Sequence, residues 1–118
     1  ASANLDRLVN VHVPFGFTVG QTALPSGDYE IERRGANVLI FRKLDGSASA
    51  AVTTTPIDVD HTAQAALVFN KYGETYFLSQ ARSLNGTVDV KVPQSKAEQR
   101  LARSMGEPST VTLQISRR

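Results

Sequence analysis

The sequence predicts an all-β fold, an antiparallel barrel or sandwich of about eight strands with one short helix before the last strand. Three observations carry that reading. Apolar and polar residues alternate with period two through most of the chain. Tight-turn signals separate the alternating runs at strand-length intervals. Helical spacing occurs in one place only, between Ser95 and Met105.

The first run is the clearest. Val9, Val11, Val13, Phe15, Phe17 and Val19 alternate with Asn10, His12, Pro14, Gly16, Thr18 and Gly20, which gives one apolar face and one polar or small face. Pro14 cannot donate to a ladder, so the run is two strands joined at a kink, or one bulged strand at an edge. In Ala23-Leu24-Pro25-Ser26-Gly27-Asp28, Pro25 presets its own φ and Gly27 suits the third position of a type II turn. Residues 28–34 place Tyr29 and Ile31 inward and Glu30 and Glu32 outward, and Gly35-Ala36-Asn37 closes a hairpin. Residues 38–44 are apolar on both faces, as a central strand requires. Asp45-Gly46 turns the chain into a weaker strand over 47–55, and 56–64 reads as a loop. Residues 67–72 and 75–82 flank Lys71-Tyr72-Gly73-Glu74, which reads as a hairpin, and Asn85-Gly86 turns the chain again. Val88, Val90 and Val92 alternate up to Pro93.

The rhythm then changes. Ser95 and Glu98 form a capping box, Ala97, Leu101 and Met105 make a helical apolar stripe, and Gly106 and Pro108 stop the helix. Val111, Leu113 and Ile115 alternate in the last strand. With neither a repeat nor a linker, residues 1–118 read as one domain.

Composition agrees. A chain of 118 residues buries roughly two-thirds of its unfolded surface, enough to fold without a metal or disulfide. It has no Trp, five Phe and three Tyr, so Val, Leu, Ile and Ala fill most of the core. Thirteen basic and eleven acidic residues are interspersed to a net +2, which argues against binding a nucleic-acid backbone. The absence of Cys excludes disulfides, thiolate metal sites and cysteine nucleophiles. No apolar run approaches the ~18 residues of a membrane span. Ala1-Ser2-Ala3 has the small-x-small form of a signal-peptidase site, a form that artificial trimming of the chain explains equally well.

Chemistry-bearing residues are sparse. His12 lies on the polar face of the first strand and lacks a base-positioning partner recognisable in the sequence. Asp58, Asp60 and His61 place three potential ligands within a short span, but their spacing matches neither a calcium loop nor a zinc motif. Nucleophile elbows and phosphate-cradling glycine motifs are absent, and capping accounts for Ser95. Asn85-Gly86-Thr87 fits a glycosylation acceptor and equally a plain turn. Asp28, Glu30 and Glu32 share one strand face, exposed and apart from the core. Phe15, Phe17, Tyr29, Phe41, Phe69, Tyr72, Tyr76 and Phe77 either form the core or line an interior cavity. Lys96, Arg100 and Arg103 make a basic helix face, suited to solvent or to an acidic partner. No catalytic residue, metal ligand or cofactor is predicted.

Several segments together carry a resemblance. They are Val11-His12-Val13-Pro14-Phe15-Gly16-Phe17-Thr18-Val19-Gly20, then Leu24-Pro25-Ser26-Gly27-Asp28-Tyr29, then Leu67-Val68-Phe69-Asn70-Lys71-Tyr72-Gly73 with Tyr76-Phe77-Leu78, and Pro93-Gln94-Ser95-Lys96-Ala97-Glu98. In that order they resemble a family of small exported β-rich proteins of soil bacteria to which no activity is assigned. The resemblance implies a signal peptide, secretion or a periplasmic location, and one β domain. It implies no substrate, cofactor or catalytic residue. The expected function is a non-catalytic binding or interaction protein whose partner is an unidentified protein. One alternative is a carrier of a small apolar ligand inside a β-barrel, and another is a hydrolase using carboxylates or His61.

Overall fold

A computed structural model of the chain describes residues 8–34, 37–57, 66–82 and 89–115. In chain order these form β1 (Leu8–Val13), β2 (Phe17–Val19), β3 (Thr22–Leu24), β4 (Gly27–Arg34), β5 (Val38–Lys43), β6 (Ser49–Thr53), β7 (Thr55–Ile57), β8 (Ala66–Tyr72), β9 (Thr75–Arg82), β10 (Asp89–Lys91), α1 (Lys96–Met105) and β11 (Ser109–Gln114). The fold is all-β with one short helix before the last strand. One sheet runs β1-β4-β5-β6, and the other runs β11-β8-β9-β10-β7, with β2 attached at β9 and β3 paired on β2. The ladders are antiparallel except for one parallel contact, Phe77 opposite Thr18, so the second sheet is mixed where the sequence suggested antiparallel pairing throughout.

The kink at Pro14 is a corner. β1 belongs to the first sheet and β2 to the second, so the chain crosses between sheets over residues 14–16. The period of two survives the crossing: Val11, Val13, Phe17 and Val19 are buried, whereas His12, Pro14 and Gly16 are exposed. A single alternating run therefore supplies the shared core from both sides, as strands that switch sheets do in packed sandwiches.

Two strands lie outside the predicted set. β3 pairs back on β2 across the turn at Gly20 and Gln21. β7 falls partly in the stretch expected to be a loop, and it pairs with β10 as the outer strand of its sheet. Pro56 is tolerated there because an edge strand can leave one side without a ladder donor. β5 lies inside its sheet, as its doubly apolar sequence predicts. Gly73-Glu74 makes the two-residue turn between β8 and β9. Gly27 departs from the type II expectation of φ near +80°, since its φ is +149° and a Cβ there would meet the Lys43 Cε at 2.6 Å.

Aromatic rings fill the space between the sheets. Phe17 makes edge contacts with Tyr29, Phe41 and Phe69 at centroid distances of 5.2, 6.0 and 5.7 Å. Phe15 stacks on Tyr76 at 3.9 Å and meets Phe69 edge-on at 5.1 Å. Ile31, Leu39, Leu67 and Leu78 complete this core. Burying each such side chain contributes about 1.5–3 kcal/mol.

β8 is apolar on both faces because both are covered. Leu67 and Phe69 face the other sheet, and Ala66, Val68 and Tyr72 are buried outside the main cluster. Tyr72 meets Phe77 edge-on at 5.9 Å, and α1 packs over this side of β8. The helix begins and ends where predicted, with Ser95 as N-cap and Gly106 closing the C-terminus. Its inward face differs from prediction: Ala97 is exposed and Glu98 is buried. Glu98, Leu101 and Ala102 follow the i, i+3, i+4 spacing of one helical face, whereas the expected stripe drifts around the helix and leaves Met105 52% exposed.

Candidate functional site

Glu98 is the starting point. The Ser95 Oγ accepts a hydrogen bond from the Glu98 backbone N–H at 3.2 Å, half of the predicted capping box. The carboxylate goes elsewhere. Its Oε2 accepts from the Tyr72 hydroxyl at 2.9 Å and from the Asn70 side-chain amide at 2.8 Å, with Gln94 Nε2 more distant at 3.5 Å. Glu98 is only 3 % exposed, and among the described residues no Lys, Arg or His forms an ion pair with it. A carboxylate removed from water without a counter-ion depends on such donors. Burial, reinforced by the hydrogen bond to Glu98 and by its charge, pushes the Tyr72 phenol up to about 12.

Beside this cluster lies a cleft of about 520 Å³, lined by Thr55, Asn70, Ser79, Lys91, Val92, Pro93 and Gln94. Its floor crosses the second sheet where β9 bulges between Leu78 and Gln80. Its wall is the segment leading into α1, held to the sheet by the Val92 N–H donating to the Ser79 carbonyl at 2.8 Å. Asn70 and Gln94 thus belong both to the cleft and to the Glu98 cluster. Among the described residues the lining holds hydroxyls, carboxamides and one ammonium group, with neither a carboxylate nor a histidine.

The sequence candidates fall elsewhere. His12 does have a partner, since its Nδ1 lies 2.8 Å from the Asp28 Oδ1, directly across the β1–β4 ladder. Both side chains are about two-thirds exposed (66% and 64%), so the pair stands on an open sheet face. Glu30 and Glu32 share that face and are bridged by Arg42, with Arg34 also on Glu32. The Arg42 hydrogen bond, followed by that of Arg34, holds the Glu32 carboxyl below its usual range. Ser95 acts as the helix cap. Asp58, Asp60 and His61, together with Asn85-Gly86-Thr87, lie outside the described residues. Among the described residues no group of three or more His, Cys, Asp or Glu could hold a metal ion, and no helix is long and apolar enough to cross a membrane. Lys96, Arg100 and Arg103 are exposed and, with Gln99, rim a surface hollow of about 230 Å³.

Sequence reasoning missed the cleft because strands far apart in the chain assemble it. One signal was available. The run Ala66-Leu67-Val68-Phe69 is apolar on both faces, which calls for a second layer over β8, and α1 is the element left to supply it.

The fold and site together define an all-β domain with a polar cleft between one sheet and the segment leading into its helix. No protein-family model, curated protein or solved structure matches the chain.

Proposed function

We propose that this domain is a non-catalytic binding or interaction protein of the periplasm or cell exterior, and that its recognition surface is the cleft beneath residues 92–94. The cleft itself carries the reading. It gathers donors and acceptors from four strands and a loop into a concave surface, the form that ligand sites take. Among its described lining residues there is no carboxylate or histidine to act as an acid–base pair. The core aromatics pack on one another, which favours a surface site over a ligand carried inside a barrel. The location is inferred from the sequence resemblance.

The test is native mass spectrometry of the protein purified gently from its host, alongside a Thr55→Trp variant. Thr55 is exposed on a short outer strand, where Trp fits a β-strand and fills the cleft. A bound mass present on the wild type and missing from Thr55→Trp is expected. A mass that both proteins retain places binding elsewhere and rejects the cleft.

A further inference from the structure

The way Glu98 holds its neighbours bears on what the cleft can recognise, given the binding role above. The Glu98 Oε2 is the acceptor in each of its side-chain hydrogen bonds. The Asn70 and Gln94 amides therefore turn their NH2 groups toward Glu98, with Asn70 firmly held at 2.8 Å and Gln94 more loosely at 3.5 Å. A carboxamide is planar, so fixing its nitrogen on one side carries its oxygen away from the carboxylate. Both residues also line the cleft. The cleft then offers amide oxygens that accept, Thr55 and Ser79 hydroxyls that do either, and Lys91, which only donates.

Few ligand groups satisfy such a lining. A polyanion would pair with Lys91 and meet amide oxygens elsewhere. An amine would face the Lys91 charge. A hydroxyl both donates and accepts, so it can bond every polar group present, while Val92 and Pro93 offer apolar surface to C–H groups. We propose that the cleft takes a neutral, hydroxyl-rich ligand of saccharide type. Buried Glu98 is the positioning residue that sets this preference, by holding the Asn70 and Gln94 amides with their oxygens toward the cleft.

The experiment is 15N NMR of the full chain, wild type and Glu98→Gln, titrated separately with maltotriose, inorganic phosphate and tetra-alanine. A Gln at 98 can present oxygen or NH2, so it no longer dictates which way Asn70 and Gln94 face. In the wild type, maltotriose is expected to move the side-chain amide signals of Asn70 and Gln94 more than the other probes do. In Glu98→Gln the Asn70 amide signals should shift before any probe is added. Maltotriose affinity should then fall about tenfold, the value of one good hydrogen bond, with the preference over tetra-alanine reduced as well. Loosened packing alone would weaken both probes alike and leave that ratio unchanged.

The wild-type titrations decide the ligand class even if Glu98→Gln folds poorly. A cleft that answers best to phosphate or tetra-alanine overturns the ligand class and leaves the binding role standing. A cleft silent to maltotriose overturns the proposal. If native ligand also stays on Thr55→Trp, binding lies elsewhere and the cleft is rejected as the recognition surface. Unchanged preference in a folded Glu98→Gln removes the positioning role.

Discussion

Glu32 and Glu98 occupy opposite outer faces of the same sandwich, and they are held in opposite ways. Glu32 stands on the open face of the first sheet, with Arg42 Nη2 at 2.6 Å and Arg34 Nη2 at 2.9 Å. Glu98 lies under α1 against the second sheet and is held by a phenol and carboxamides instead of a cation. On the outer face of the first sheet Glu32 keeps 22% exposure and its arginines 41% and 65%, so the ion pair replaces hydration that was only partly lost. Beneath the helix water is excluded, and every donor lost leaves a buried polar group unpaired. A pair of full charges matters less here than hydrogen bonds from neutral donors to a buried carboxylate, because burial differs between the two sites.

The largest break in this comparison is Glu98→Ala. It leaves the Tyr72 hydroxyl and Asn70 amide without their acceptor and opens a void under α1, so we expect a loss of about 2–4 kcal/mol in urea denaturation. Unchanged stability would mean that the helix docks through Leu101 and Ala102 alone.

Tyr72→Phe removes one of the donors and should cost about 1–2 kcal/mol at neutral pH. It also has a pH signature. The folded-state pKa of Tyr72 lies above the ordinary value near 10. An unfolded chain therefore loses this proton first as pH rises. The contribution is complete below pH 10 and is lost as the pH climbs towards about 12. Wild type should lose about 1–2 kcal/mol more than Tyr72→Phe across that window. Burial raises Tyr29 too, but it is present in both proteins, so the difference isolates Tyr72. Parallel pH curves would show that Glu98 and burial do not act on Tyr72 in solution.

Local patterns made much of the fold legible. The valine and phenylalanine alternation located β1 and β2, and Pro14 marked the break between them. Gly73-Glu74 and the cap and stop residues of α1 placed a hairpin and the helix. β3 and β7 were hidden because three residues are too few to show a period. Glu98 was misplaced because its position in the capping box explains it fully from local sequence. Asn70 and Tyr72, 28 and 26 residues away, decide where its side chain goes. The open face was easier to read: Glu30 and Glu32 point outward by strand period alone, although the Arg42 bridge needs the β4–β5 register.

Glu32→Gln supplies the other half of the contrast, and its expected effect is the smallest. Arg42 and Arg34 stay exposed to water, and Arg42 Nη2 already has Glu30 at 3.6 Å, so no buried group loses its partner. In moderate salt the denaturation midpoint should not move resolvably. At low salt a small loss should emerge, because screening is what conceals exposed pairs. The pH dependence has the opposite sense to that of Tyr72. The arginines lower the Glu32 pKa, so its contribution is present above the ordinary carboxylate range and fades as pH falls through the lowered value. The wild type and Glu32→Gln should therefore converge in acid. If Glu32→Gln at moderate salt cost as much as Glu98→Ala, exposure could not be what separates the two faces, and the arginine cluster would have to be a structural unit of the first sheet.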